Sequence, residues 1–156
     1  MSSYIMDLRR VVGHRPLLQV GASVIVEDEQ GRILLQLRSD DHSWGYAGGS
    51  VELDEVVEED AARELFEETG LRAHRLQLFG IFSGPETHCV YPNGDEVSNV
   101  DIVYVCKEYS GDLKCQEGEV DELRFFAPNE IPEPLFPPIR RALLAYVEER
   151  TKAFHN

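Results

Sequence analysis

The segment from Asp54 to Gly70, DEVVEEDAARELFEETG, constrains the fold more than any other part of the chain. Placed on a helix at about 100° per residue, Ala61, Ala62, Leu65 and Phe66 cover one side and give it a face to bury. Asp60, Glu64, Glu67 and Glu68 fall within roughly a third of the circumference on the other side. The pattern predicts a helix over about Asp54 to Thr69, with Asp54 as N-cap and Gly70 as the C-terminal stop. Such a helix cannot stand alone, so the rest of the chain must supply a core for its apolar side.

The acidic stripe is badly placed for helix stability. Glu64 lies three and four residues before Glu67 and Glu68, and each like-charged pair costs about 0.2–0.5 kcal/mol. Glu67 and Glu68 also stand in the last turn, where the helix dipole disfavours an anion by about 0.3–1 kcal/mol. Arg63 is the only base within the segment. A solvated acidic face is the usual explanation for acids on a helix, but it accounts poorly for this clustering. A cation among the carboxylates accounts for it, and a hard divalent ion with oxygen ligands fits best.

Around this helix the chain alternates between strands and turns. Tyr4 to Val12 is predicted as a short helix ending at Gly13, within an N-terminal extension over residues 1–15. Alternation of Val20, Ala22, Val24 and Val26 predicts a strand over Leu17 to Glu27, and a second follows at Arg32 to Arg38. The turn Asp28-Glu29-Gln30-Gly31 joins the two as a hairpin. Ser39 to Ser50 is predicted as a loop containing Trp44, Gly45, Gly48 and Gly49. Further strands are expected at Arg75 to Phe82, at Val97 to Lys107 after the turn Tyr91-Pro92-Asn93-Gly94-Asp95, and at Leu123 to Ala127. A last amphipathic helix covers about Ile139 to Lys152. Mixed strands flanked by helices in 156 residues predict one α+β domain over residues 1–156, layered α/β/α.

A formal net charge of −14 works against binding nucleic-acid polymers and anionic membranes, which normally use Lys and Arg contacts to phosphates. A small phosphorylated ligand stays compatible where metal ions reverse the field locally. Cys89, Cys106 and Cys115 form no CxxC pair and leave one thiol odd, which fits free thiols in a reducing compartment. The first residues carry Asp7, Arg9 and Arg10 with no long apolar run behind them, and no stretch approaches the roughly 20 apolar residues of a membrane span. Together these features predict a cytoplasmic protein.

Gly49, five residues, Glu55, seven residues, then Arg63-Glu64-Leu65-Phe66-Glu67-Glu68-Thr69-Gly70-Leu71 satisfies every defined position of the Nudix box, over residues 49–71. A chance match in a chain this rich in glutamate is on the order of one in a million. The chain therefore resembles the Nudix hydrolases, in particular small bacterial MutT-like ones, from about Pro16 to the final helix. The resemblance implies a Nudix-type α/β/α sandwich around a mixed β-sheet. It also implies Mg²⁺- or Mn²⁺-dependent hydrolysis of the diphosphate bond in a nucleoside diphosphate linked to a moiety X. Nucleotide sugars such as ADP-ribose, nucleoside triphosphates and dinucleoside polyphosphates are the competing substrates. The sequence departs from the usual pattern at Ala47, where a proline is common, and at Asp54, where a glycine is; neither change removes a ligand.

By the same resemblance, Glu64, Glu67 and Glu68 bind the metal, with the Gly48 carbonyl beside them. An acid in a late loop adds a ligand in many members, a place that Glu117 fits by its spacing to Glu122-Leu123, with Glu119 and Asp121 as rivals. Arg63 holds the helix carboxylates, and Glu55 supports the loop before the helix. Glu64 and Glu67 both qualify as the base that takes a proton from the attacking water, with Glu64 favoured. Candidates for gripping the substrate are Arg38, towards a phosphate, and Tyr46, Phe82 and Tyr91, with Trp44, towards a base. Each has a plainer role open to it, as strand-end cation, core residue or loop anchor. His42 and His88 read as surface residues. Two other functions compete: a catalytically silent nucleotide-sensing Nudix domain, which an intact box disfavours, and an acidic cation binder, for which no EF-hand pattern is present. Assembly as a homodimer through the N-terminal helix rests on analogy with the family.

Overall fold

The computed structural model describes residues 3–155. Its elements run α1 (Tyr4–Val12), β1 (Leu17–Val26), β2 (Ile33–Arg38), β3 (Trp44–Gly45), β4 (Ala47–Ser50), α2 (Val57–Thr69), β5 (Arg72–Phe82), β6 (His88–Val90), β7 (Glu96–Ser110), β8 (Val120–Phe126) and α3 (Arg140–His155).

The main sheet is mixed and is ordered β4-β1-β7-β5, with β6 also paired to β7. β1 is buried without interruption from Gly21 to Val26, as expected of an interior strand covered on both faces. It pairs in parallel with β7 from Leu17↔Val97 to Val26↔Cys106 and antiparallel with β4. Ala22, Val24 and Val26 pack on one face with Ala61 and Leu65 of α2. Ile25, Val103 and Val105 pack on the other with Ile139 and with Ala142, Leu143 and Tyr146 of α3. Ile25, Leu65 and Leu143 are fully buried, and each contributes about 1.5–3 kcal/mol. The result is the α/β/α layering that the sequence predicts.

β1 and β2 do not form the expected hairpin. The turn is present, with the Gly31 N–H on the Asp28 carbonyl at 3.0 Å, but pairing stops at one bridge, Glu27↔Ile33. Both edges of β1 are already taken by β4 and β7, so β2 leaves to join β3 and β8 in a second, antiparallel sheet. The stretch Ser39 to Ser50 is likewise not all loop, since β3 and β4 lie within it.

Helix α2 starts at Val57, not at Asp54, and Val56 caps it without a side-chain hydrogen bond. Asp54 has φ 63° and turns the chain, the Glu55 N–H donating to the Glu52 carbonyl at 3.1 Å. A glycine takes this left-handed conformation freely, and aspartate tolerates it better than most residues. At the other end Gly70 stops the helix as predicted, at φ 81°. A Cβ there would lie 2.5 Å from the Asp112 carbonyl oxygen.

Helix α1 spans the predicted residues and is capped by Ser3. Its buried Arg9 donates to the carbonyls of Gly13 at 3.1 Å and Arg15 at 2.6 Å, fixing the helix to the chain that enters β1. All three cysteines are free. Among the described residues no helix is long and apolar enough to cross a membrane.

Candidate active site

The box helix builds its acidic face around one cation. Arg63 donates from Nε to Glu55 Oε2 at 3.0 Å and from Nη1 to Glu67 Oε1 at 3.1 Å, and its Nη1 stands 3.2 Å from Glu64 Oε1. It also donates to Asp60. Those hydrogen bonds hold Glu55 down to about 2. Asp60, expected on the acidic side of the helix facing solvent or a cleft, is instead fully buried. Burial, with Glu55 beside it, pushes its carboxyl up to about 8. The guanidinium thus links the loop before the helix to two turns of the helix itself.

Two glycines set how close the carboxylates come to the sheet. β4 runs antiparallel to β1, with Gly48 opposite Ser23 and Gly49 opposite Ala22. A Cβ on Gly49 would lie 2.4 Å from Glu64 Cδ, whereas one on Gly48 would lie 2.3 Å from Ser23 Oγ. The two positions therefore face opposite sides of the sheet edge, Gly49 towards α2 and Gly48 away from it. Glu68 reaches the same edge: its Oε2 accepts from the Gly48 N–H at 3.1 Å and from Gln36 Nε2 at 2.9 Å. Burial drives Glu68 up to about 8, with the charge of Glu64 adding to it. Burial also raises Glu64. As the side chains stand, Glu67 turns to Arg63 and Glu68 to Gln36, and among the described residues no three such groups converge on one point.

A cleft opens on the Gly48 side of the edge, its lining including Gln19, Gln36, Arg38, Tyr91, Asp101 and Phe136. Arg38 lies over the Phe136 ring at 3.8 Å and pairs with Asp40 at 2.8 Å. Tyr46 donates its hydroxyl to Asp101 at 2.9 Å. The Gly48-Gly49 edge is thus a thin partition, with carboxylates behind it and the cleft in front.

Of the residues singled out from the sequence, Arg63, Glu64, Glu67, Glu68 and Gly48 come together at the end of α2. Glu117 is exposed in the loop before β8 and shares a surface hollow with Glu67. Arg38, Tyr46 and Tyr91 line the cleft. Phe82 does not: β5 lies on the far side of β7 from β4, and Phe82 stacks on Phe79 at 5.9 Å instead. Trp44 also stays out of the cleft, set edge-on to Phe126 at 5.0 Å. Sequence reasoning missed Gln19, Ser23, Gln36, Asn99 and Asp101. Asn99 and Asp101 left a signal, as polar residues in the inward register that Val97, Val103 and Val105 share on β7.

The Gly49 contact gives a direct test. Gly49→Ala is expected to displace Glu64 and lower kcat by about 10²-fold, the scale for a misplaced reacting group. Its circular dichroism should match the wild type, because Gly49 has an ordinary φ. Unchanged kcat would show that the position of Glu64 does not matter.

The NUDIX domain family model matches residues 17–147. A MutT-like protein of Streptomyces ambofaciens is 32% identical over 118 residues, 76% of this chain and 70% of that protein. An ADP-ribose pyrophosphatase of Methanocaldococcus jannaschii is 31% identical over 139 residues, 86% of this chain and 78% of that protein. In three dimensions the chain is similar to the MutT NUDIX hydrolase from Burkholderia pseudomallei, with a TM-score of 0.69 and 31% identity over 81% of this chain and 95% of that one. With an intact box on α2 and this layered fold, the chain belongs to the NUDIX domain family and is a Nudix pyrophosphohydrolase.

Proposed function

We propose that this chain uses Mg²⁺ or Mn²⁺ to hydrolyse the diphosphate bond of a nucleoside diphosphate linked to a second moiety, either a nucleotide sugar such as ADP-ribose or a nucleoside triphosphate. The observation that carries the reading is Glu68. This carboxylate is half-buried at the sheet edge and bonded both to Gly48 and to Gln36, which lines the cleft. A carboxylate pushed up to about 8 suits a ligand whose charge a cation would restore. The ligands are Glu64, Glu67 and Glu68 with the Gly48 carbonyl, and Glu117 from the loop on the Glu67 side. This all-oxygen set fits a hard divalent ion and gives no preference for a softer one.

A bound divalent ion supplies charge to offset that of the diphosphate and lowers the pKa of the attacking water. Glu64, packed on Gly49 and raised by burial, accepts the proton as the water oxygen bonds to phosphorus and the bridging P–O bond breaks. Arg63 keeps Glu64 and Glu67 in place. Arg38 meets the phosphate chain, and Tyr46 and Tyr91 border the space for the remainder of the substrate. The charge of −14 selects small ligands over nucleic-acid polymers and membranes, and the free thiols suit the cytoplasm.

The test is a screen of nucleoside diphosphate compounds with Mg²⁺, read as nucleoside monophosphate released. Turnover of at least one compound, abolished by EDTA and restored by Mg²⁺, is expected. Folded protein with no metal-dependent turnover on any member would leave the nucleotide-sensing alternative.

A further inference from the structure

The cleft holds hydrogen-bond acceptors that the chain leaves partly unused. Asp101 is 8% exposed and lies on β7 directly across from Gly21 of β1. Its Oδ1 accepts from Ser23 Oγ at 2.7 Å and its Oδ2 from the Tyr46 hydroxyl at 2.9 Å. Two single O–H donors occupy about half of the four lone-pair positions of a carboxylate. Among the described residues no cation stands against it: burial raises its pKa, and only Ser23 and Tyr46 oppose that. A buried carboxylate without a cation is costly unless further donors reach it. Gln36 independently points the same way. It is 7% exposed, its Nε2 is given to Glu68, and its Oε1 has no partner.

The shape of the cleft narrows the kind of donor. One wall is flat, with the Tyr91 ring stacked on Phe136 at 6.3 Å and 29° and the Arg38 guanidinium over the same ring. Gly21 and Gly48 leave the sheet edge in the cleft without side chains. A Cβ on Gly21 would lie 3.4 Å from Asp101 Oδ1, so open space reaches the carboxylate over this glycine. A flat wall with an acceptor at its foot suits a planar ring that carries N–H groups on its edge.

We infer that Asp101 is a specificity-determining residue: its carboxylate accepts a hydrogen bond from the exocyclic amino group of a purine base, so the preferred substrates carry an amino-bearing purine. The inference rests on the proposed hydrolysis of nucleoside diphosphates and adds the identity of the group that the cleft selects. Ser23 and Tyr46 are positioning residues, holding the carboxylate by one oxygen each. The amino donor supplies what the chain lacks at Asp101, and substrates without it leave a buried acceptor unmatched.

The test compares two probes by calorimetry, AMP and purine riboside 5′-monophosphate, which is AMP without its amino group. The wild type is expected to bind AMP about tenfold or more tightly, the scale of a hydrogen bond to a charged group. Asp101→Asn preserves shape and is expected to reduce that preference to about twofold or less, while Ser23→Ala retains most of it. In turnover the Asp101→Asn defect should appear in KM, with kcat nearly unchanged. Equal binding of the two probes by the wild type overturns the assignment without any variant. So does failure of AMP to bind, or a preference that survives in Asp101→Asn. Absence of turnover on every diphosphate compound is a separate failure, and it sinks the functional reading itself.

Discussion

Glu68→Gln is expected to abolish most turnover while making the metal-free protein more stable, and Glu67→Gln to abolish turnover with little effect on stability. Residues that merely support a metal site cost about 10–100-fold when changed, so loss of a direct ligand should exceed about 10²-fold. The stability effect follows from the desolvation of the half-buried Glu68 carboxyl at the sheet edge. Its carboxyl is raised from 4.5 to about 8 in the folded protein, so the unfolded chain releases the proton first. The folded state is therefore penalised progressively as pH rises from about 4.5 to about 8, and glutamine removes that penalty. The melting-temperature advantage of Glu68→Gln should grow across that window and level off above it. Glu67 is 41% exposed, so replacing it disturbs little packing. Mg²⁺ should raise the melting temperature of the wild type and not that of Glu68→Gln. At limiting Mg²⁺ the wild-type rate should climb with pH towards about 8, because Glu68 must lose its proton before it can act as a ligand. A Glu68→Gln protein that keeps its rate, or melts lower without metal at pH 8, removes Glu68 from the metal site.

How much of this could be read beforehand depended on whether the cause was local. The α2 stop at Gly70, the turn before β7 and the span of α1 follow from turn chemistry and periodicity, and the structure has them where the sequence predicts. The carboxylate row was legible for the same reason, since helix geometry fixes Glu64, Glu67 and Glu68 on one face without help from elsewhere. The β1–β2 hairpin that the turn predicts does not form, because pairing depends on which edges are free. β7, about 80 residues further on by number, takes the edge of β1 that a hairpin would need. Asp54 reads as a cap in the sequence because cap and turn residues share a chemistry, and only the backbone angle separates them. Its helical angle places Asp60 with the other acids, yet it is buried beneath Arg63. The cleft was the least legible part. Ser23, Gln36 and Asp101 come from three strands in two sheets, and no spacing in the sequence brings them together.

Arg63→Gln is expected to damage both fold and chemistry, since Arg63 is the only base on the box helix and bridges four carboxylates. Removing one partner of a buried ion pair costs about 3–5 kcal/mol. Arg63 is 38% exposed, and solvent screening brings the expected loss nearer about 2 kcal/mol. For a chain of this size that is a fall of roughly 4–8 °C in melting temperature. The pH dependence has a definite sign. Glu55 is held at about 2 by Arg63, so its contribution is complete above its unfolded value near 4.5 and is lost as pH falls towards 2. Without the guanidinium that contribution disappears, and ionising the buried Asp60 becomes harder still. The variant should therefore be most deficient at neutral pH, with the gap narrowing as pH drops from about 4.5 towards 2. Turnover should fall by about 10–100-fold through loss of placement of Glu64 and Glu67. Arg63→Lys keeps one charge but lacks the planar fork that reaches several partners, and should recover part of the stability and less of the rate. Equal melting curves for Arg63→Gln and wild type at pH 7 would mean that the four carboxylates are stabilised by solvent and not by Arg63. The cluster would then be a surface ion network with no part in holding the site.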